Sequence, residues 1–580
     1  MSNRHRVKTA SQANFAQTVH ADIPRSIFNR DSSLKTTFNC GDLVPIYCDE
    51  VLPGDTFEMS QSFISRLSTP LFPTMDNIDL EIYAYFVPNR LVWDGWEELN
   101  GENKTGAWTP VNEPALVPTF GQTHTDSKSI GDYYGLPVGV YGHNLPVSAL
   151  PFRGYGLIWN EWFRDENLQA PLTINKGNST YSVVQEYTFP YAPNSSLLKV
   201  NKFHDYFTSA LPAPQKGDSP LIPIELNDVI PVVTRSASNF TSTSPAQAPL
   251  RFASASSPNA TYIGTSNGLY LNEAVSPLTG NVLKAAPASG VEYENGEDSF
   301  SPIPINLVAD GRGIRINGTT ISELRTAFQI QKLLEKDARG GTRYIEMLKA
   351  HFGVDAGDYR LQRPEFLGRY KSLVGIQSVP QTSSTDTTSP QGNLAAYSVT
   401  AGNGVLFKKS FVEHGFIHIF AVARQVKTYQ QGLEKFWSRR ERFDFYLPTL
   451  AHISEQPILN KEIYAFGSDA NDIFGYQEAW AEYRYKPNRV SGQMRTGVTN
   501  SLDVWHYADY YDSTPRLGST WITDNSRANV DRTLAVSSYD SGSGESTVHG
   551  EDQIRMDIRF DCVAIRPMPV YSIPGLVDHF

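Results

Sequence analysis

Apolar side chains recur with a period of two at both ends of this chain. Near the start, Leu80, Ile82, Ala84 and Phe86 alternate with Glu81, Tyr83 and Tyr85; near the end, Ile554, Met556, Ile558, Phe560 and Cys562 share one parity. A strand presents successive side chains to opposite faces, so each stretch predicts a half-buried strand. Phe57, Met59 and Phe63 form a further set of this kind, and the same period runs from Phe411 to Ala423. Strands so far apart imply one core closed by both ends of the chain. A β-sandwich with long excursions between its strands satisfies this, because loop-closure entropy rises slowly with insertion length.

Composition agrees. The 30 Phe, 29 Tyr and 9 Trp stand beside 37 Pro and 42 Gly, a mixture suited to many short strands joined by turns. Residues 1–52 are expected to form an extended basic arm, punctuated by Pro24, Pro45 and Pro53, and residues 53–580 the interrupted sandwich. One excursion is Ser-rich: ten serines and three charged residues (Arg251, Glu273, Lys284) lie between Ser236 and Gly290. A loop of this length inside a compact protein is usually functional or disordered. Another excursion, 320–353, is expected to be helical. Thr320 and Glu323 have capping-box spacing, Leu324, Ala327, Phe328, Leu333 and Leu334 repeat at helical intervals, and Gly340–Gly341 ends the run. This stripe is expected to pack against the sandwich.

The net charge is −11, yet residues 1–40 hold six bases (Arg4, Arg6, Lys8, Arg25, Arg30 and Lys35) against Asp22 and Asp31. That leaves +4 on the arm and −15 on the body, so the six bases are the candidate contacts to phosphates or to an inner surface. No recognised base-reading module accompanies them, so such binding is expected to be non-specific. Cys40, Cys48 and Cys562 fit no disulfide framework or zinc pattern and predict buried thiols in a reducing compartment. Neither an apolar leader nor a run long enough to span a membrane is present, which predicts folding in a cytoplasm.

Catalytic motifs are scarce. There is no P-loop, GxGxxG or His-Glu zincin pair, and the one nucleophile-elbow match, Gly264 to Gly268, sits in the Ser-rich loop without its strand and helix. His414 and His418 share a strand face and read as packed or hydrogen-bonded rings rather than metal ligands. The strongest enzyme-like group is Trp159, Glu161, Trp162 and Asp165, followed by Glu166. Paired carboxylates beside indole rings suit a glycosidase or a carbohydrate-binding β-sandwich. An amphipathic helix burying its tryptophans explains the same residues and is favoured. No cofactor, metal or catalytic residue is expected.

Longer blocks carry a family resemblance. PRSIFNR, KTTFNCGDLVPIYCDEVLPGDTF, RLSTPLFPTMDN, FVPNRLVWDGWEELNGE, GLIWNEWFRDENLQ, FQIQKLLEKDARGGTRYIEMLKAHFG, SLDVWHYADYY and PMPVYSIPGLVDHF together resemble the major capsid proteins of gokushoviruses, small icosahedral single-stranded DNA phages of the Microviridae. The resemblance implies an eight-stranded viral jelly roll with large loop and helical insertions. It also implies a non-enzymatic subunit that assembles with itself, in the host bacterial cytoplasm, into an icosahedral virion shell around circular single-stranded DNA. Internal scaffolding proteins, DNA-pilot proteins and a host surface receptor are the other partners it implies. By the same resemblance, residues 225–302 form a threefold protrusion for host attachment, with Thr241, Ser254, Tyr262, Asn267 and Tyr270 as candidate host contacts.

Overall fold

The computed structural model describes residues 24–102, 116–181, 189–220 and 320–571, apart from positions 356, 386, 388, 389 and 542–548, and the backbone of short strands between 225 and 317. Two compact units result. One joins the chain up to Asp218 to the chain from Leu333, and the other is Ser219–Lys332.

The first unit is built on nine strands: β1 (Ser26–Asn29), β2 (Ser32–Phe38), β3 (Val44–Val51), β4 (Thr56–Leu67), β5 (Ile78–Pro88), β6 (Glu365–Leu373), β7 (Thr400–Ser410), β8 (Gly415–Gln425) and β9 (Ile554–Arg566). β1 and β2 pair in succession with β9 and act as one interrupted strand. β9 then pairs with β4, and β4 with β7; the second sheet runs β6, β5, β8, β3, and every ladder in both sheets is antiparallel. Eight strand positions passing back and forth between two four-stranded sheets make the jelly roll expected from the sequence.

Alternation explains the first sheet. Phe57, Met59, Phe63 and Leu67 of β4, and Ile554, Met556, Ile558, Phe560 and Cys562 of β9, are buried in the sandwich core, while Glu58, Ile64 and Arg66 face outward and are exposed. The second sheet departs from the expectation of a half-buried β5. Leu80, Ile82, Ala84 and Phe86 join the sandwich core, but Glu81 and Tyr85 on the opposite face are buried too. A second layer covers that face: α1 (Leu150–Ile158) continues into a π-helical turn at Trp159–Phe163, and its Tyr155, Ile158 and Phe163 pack with Tyr85, Phe420 and Val422. A sheet covered on both sides reads as apolar throughout, whatever its local period.

The sequence placed residues up to about 52 in an arm. From Ser26 onward this part of the chain lies in β1, β2 and β3, so 26–51 contribute strands to both sheets. The helical excursion appears as α2 (Ile321–Arg339) and α3 (Tyr344–Phe352), and the Thr320–Glu323 capping box forms through reciprocal bonds of 3.2 and 2.8 Å. Its apolar stripe is not packed as expected. Phe328 is 65% and Leu333 49% exposed, and Ala338 is the buried residue of α2. Helical period alone does not say what covers a stripe.

The second unit is a nest of short antiparallel ladders. Glu225–Leu226 pairs with Ile316–Asn317, Val232–Thr234 with Leu307–Ala309, and Phe252–Ser254 with Pro302–Pro304 and Ser257–Tyr262. The outgoing and returning limbs therefore run side by side, and the return limb reaches Asn317.

His418, in the middle of β8, is fully buried beneath α1. Its Nδ1 lies 3.0 Å from the Tyr134 hydroxyl. A Cβ added at Gly154 of α1 would come within 2.8 Å of its Nε2, so only glycine admits the ring there. Burial pushes the His418 pKa from its ordinary 6.5 down to about 3. Between those values the unfolded chain binds the proton and the folded chain does not, so stability is lost as pH falls through that window. Urea unfolding at pH 7 and pH 4.5 should show the native protein losing up to about 1.4 kcal/mol per pH unit more than His418→Gln. Equal losses would mean that the folded ring accepts the proton.

Candidate nucleic-acid interface

The outward face of the first sheet is set by strand register. Thr37, Arg555 and Arg66 stand in one row, Lys35, Asp557, Ile64 and Ala401 in the next, and Ser33, Arg559, Ser62 and Asn403 in a third. The loop carrying Lys128, Asp132 and Tyr133 borders the first two rows and closes a groove of about 610 Å³. Lys35, Arg66, Lys128 and Arg555 line it together with Asp132 and Asp557. Lys128 reaches Asp552 at 2.9 Å and Arg555 reaches Glu551 at 2.5 Å, while Lys35 and Asp557 are 3.3 Å apart across the ladder. No ion pair is formed by Arg66 among the described residues. Thr37, Ile64 and Tyr133 give the groove apolar and hydroxyl surface beside its charges.

The six bases expected as inner contacts are treated differently by the fold. Arg4, Arg6 and Lys8 lie outside the described residues. Arg25 is exposed just before β1, and Lys35 is 76% exposed in the groove. Arg30 is engaged internally: it forms a two-pronged pair with Asp49, its Nη2 reaching Oδ1 at 3.0 Å, and Asp49 also accepts the Tyr47 hydroxyl at 3.0 Å. Burial opposes the Arg30 charge, but the hydrogen bond and charge of Asp49 outweigh it and raise the pKa. The sequence did not single out Arg66, Lys128 and Arg555. The signal available was their parity, since Arg66 and Arg555 occupy the positions between core residues of β4 and β9.

Of the host-contact candidates, Thr241 and Asn267 lie outside the described residues; Ser254, Tyr262 and Tyr270 fall in the short strands of the second unit. The nucleophile-elbow match from Gly264 to Gly268 also lies outside them.

The enzyme-like cluster is occupied structurally. Trp159 Nε1 donates to the Lys199 carbonyl at 2.8 Å, and Trp162 Nε1 to the Pro364 carbonyl at 3.1 Å. The Arg363 guanidinium lies over the Trp162 ring at 4.1 Å. Asp165 accepts the backbone N–H groups of Asn167 and Leu168 at 3.0 and 2.9 Å, and Glu166 pairs with Arg343 at 3.1 Å. These contacts close a turn and anchor α3. His414 lies in the connection before β8 rather than on the strand with His418, its ring edge-on to Trp96. Among the described residues no three His, Cys, Asp or Glu side chains gather as a metal site, and no helix is long and apolar enough to cross a membrane.

The contrast between Arg30 and Lys35 is measurable. Arg30→Ala strands a largely buried Asp49 and should cost about 1–2 kcal/mol in urea unfolding, whereas Lys35→Ala breaks a solvated pair and should cost less than about 0.5 kcal/mol. The opposite order would mean that Arg30 is free for an external partner.

Comparison with known proteins supplies the context for this surface. A family described as capsid protein (F protein) matches residues 16–576. The capsid protein VP1 of Bdellovibrio phage phiMH2K is 40% identical over 575 residues, covering 98% of this chain and 99% of its own length. VP1 of Chlamydia phage 1 is 40% identical over 621 residues, covering 99% and 100%, and VP1 of Spiroplasma virus 4 is 41% identical over 571 residues, covering 96% of each. Nothing in these matches or in the Trp159 cluster favours a carbohydrate enzyme. With its two-sheet sandwich and a match that runs almost end to end, the chain belongs to the F-protein family of phage capsid proteins and is a structural shell subunit, not an enzyme.

Proposed function

We propose that the shell built by this subunit encloses circular single-stranded DNA, and that the outward face of the first sheet, with the arm that precedes it, is turned toward that DNA. One observation carries this reading: the groove over β2, β9 and β4 gathers four cations, one of which, Arg66, has no ion-pair partner among the described residues, on a chain whose net charge is −11. The basic N-terminal segment precedes β1 in the chain, and β1 and β2, which carries Lys35, occupy the same edge of this sheet. Phosphates attracted by such a surface release counterions, and binding then weakens steeply with salt and reads no sequence. Hydroxyl and apolar groups beside the cations suit a flexible single strand.

We also propose that the second unit serves host attachment. Its nested ladders suit an outgoing and returning stalk, and a segment with few charges and many serines adds little to a core. Assembly in the host bacterial cytoplasm, with scaffolding and DNA-pilot proteins, completes this reading.

Two experiments separate the proposals. Replacing Arg4, Arg6 and Lys8 with alanine should lower the salt slope of DNA retention by about 2, given ~0.7 per neutralised phosphate on a single strand. An unchanged slope in folded particles would remove the arm from the DNA contact. Exchanging residues 240–290 for a short Gly-Ser linker should leave particle yield intact and reduce adsorption to host cells. Loss of all particles would make the segment part of the shell framework instead.

A further inference from the structure

Between β8 and β9 the chain forms a region built on a third apolar cluster, in which Tyr206, Phe207, Tyr429, Ile458, Ile463, Phe474 and Trp521 are buried. Above it the segment 433–450 is held in short 3₁₀ turns at Lys435–Ser438, Arg442–Asp444 and Pro448–Leu450. This segment has an unusual surface. Phe436 is 45% exposed, Trp437 67%, Phe443 69%, Phe445 50% and Tyr446 44%, and the neighbouring Tyr483 and Tyr485 are 53% and 55% exposed. Six of the rings are linked by direct contacts, by Arg439 or by a shared groove, and Phe443 stands between them in sequence. Phe436 lies against Trp437 at 4.9 Å, Tyr446 against Tyr483 at 6.1 Å, and the Arg439 guanidinium bridges Phe445 and Tyr483 at 5.9 and 4.3 Å. A groove of about 230 Å³ opens between Phe436, Arg439, Tyr483 and Tyr485, deep enough to reach Tyr206 and Phe207.

We infer that this aromatic patch is a docking surface for a second copy of the chain within the shell. The inference rests on the family's shell-building role and adds the surface through which it acts. Area is the first argument. Taking ~150–250 Å² for each fully exposed aromatic side chain, the seven rings present roughly 600–900 Å². Each partner in a standard-size stable interface contributes about 800 Å², and a monomer rarely leaves so much contiguous apolar surface in water.

Mixed charge is the second argument. Four cations among the rings share three carboxylates: Arg439 pairs with Glu482 at 2.7 Å, Arg489 with Glu434 at 3.3 Å, Lys486 also with Glu434, and Arg484 with Glu478. Glu441 and Asp444 add further negative charge along the same segment. A strand of DNA stacking on these rings would bring its phosphates against those acids. Aromatic anchors in a groove, rimmed by arginines and acids of both signs, are the anatomy of a protein interface. Arg440 and Arg442, both exposed, are the rim charges placed to meet carboxylates of the neighbouring copy.

The test uses full-length protein expressed under conditions in which the unaltered chain closes into shells; failure of the unaltered chain to do so would overturn the shell reading itself. Phe443→Glu and Trp437→Ala should then give soluble subunits with unchanged melting temperature and at least a tenfold lower yield of sedimenting particles. Particle yields equal to those of the unaltered chain would overturn the docking surface. Phe443→Cys supplies a second readout should Phe443→Glu fail to fold. The introduced thiol should resist a maleimide in both empty and DNA-filled particles and react once subunits are dissociated, against a background from Cys40, Cys48 and Cys562 measured in the unaltered chain. Reaction in both particle types overturns the inference, and protection confined to DNA-filled particles overturns it in favour of nucleic acid.

Discussion

The structure depends on β9 finding its place between β2 and β4. Twelve rungs from Ile554↔Leu67 to Ile565↔Thr56 join it to β4, and on its other edge Ser32↔Phe560 through Phe38↔Ile554 join it to β2. Ile558 and Phe560 bring side chains whose burial stabilises the fold by ~1.5–3 kcal/mol each. Their partners are near the other end of the chain, so the ordering of everything between must be offset before this gain is complete. Non-local pairing of this kind makes folding slow. It also explains why excursions as long as 89–364 and 426–553 are tolerated: once both ends lock the sandwich, further loop length adds little entropy.

The outer face of the second sheet shows how an insertion becomes part of the core. Glu81 is fully buried there, a costly position for a carboxylate unless it is paired. Arg424 of β8 and Arg369 of β6 both pair with it, and the Arg424 guanidinium also lies over Phe203 at 4.0 Å. Phe203 belongs to the long excursion after β5, so the ion cluster ties that excursion to three adjacent strands. A similar fastening holds the connection after β8. Lys427 and Asp524 pair at 3.1 Å with almost no exposure, and Asp509 accepts from Asn525 at 3.1 Å. Burial disfavours the Asp509 charge, but Lys427 and Lys202 hold its pKa below the ordinary value.

The period of two located β4, β5, β8 and β9 because their inward faces are mostly apolar, with Gln61 and Ser65 the polar exceptions on β4. It failed for the outward face of β5, where Tyr83, Tyr85 and Glu81 look solvent-compatible as residue types. Tyrosine and a paired glutamate satisfy burial equally well once another layer supplies hydrogen-bond and charge partners. It also passed over β1, β2 and β3, whose prolines and polar residues resemble an arm; pairing to β9 and β8 makes them strands. Net charge in residues 1–40 marked a basic region, but register decides which charges remain available. Arg30 faces Asp49, while Arg66 and Arg555, invisible in any local count, come into one row.

Exposed apolar surface is the point at which a single chain stops explaining its own sequence. Phe328 and Leu333 repeat as a core-facing helix should, and Trp437, Phe443 and Phe445 are as aromatic as any buried cluster, yet all are open to water in one copy. A sequence pattern records that a side chain is covered, not by which molecule. In a monomeric enzyme such a mismatch would signal poor packing or aggregation. In a shell subunit the remaining cover comes from neighbours, each contact modest, repeated through rotation axes until the surface closes. Under the docking inference, the exposed rings between Phe436 and Tyr446 are those whose pattern and exposure disagree because a neighbouring copy covers them.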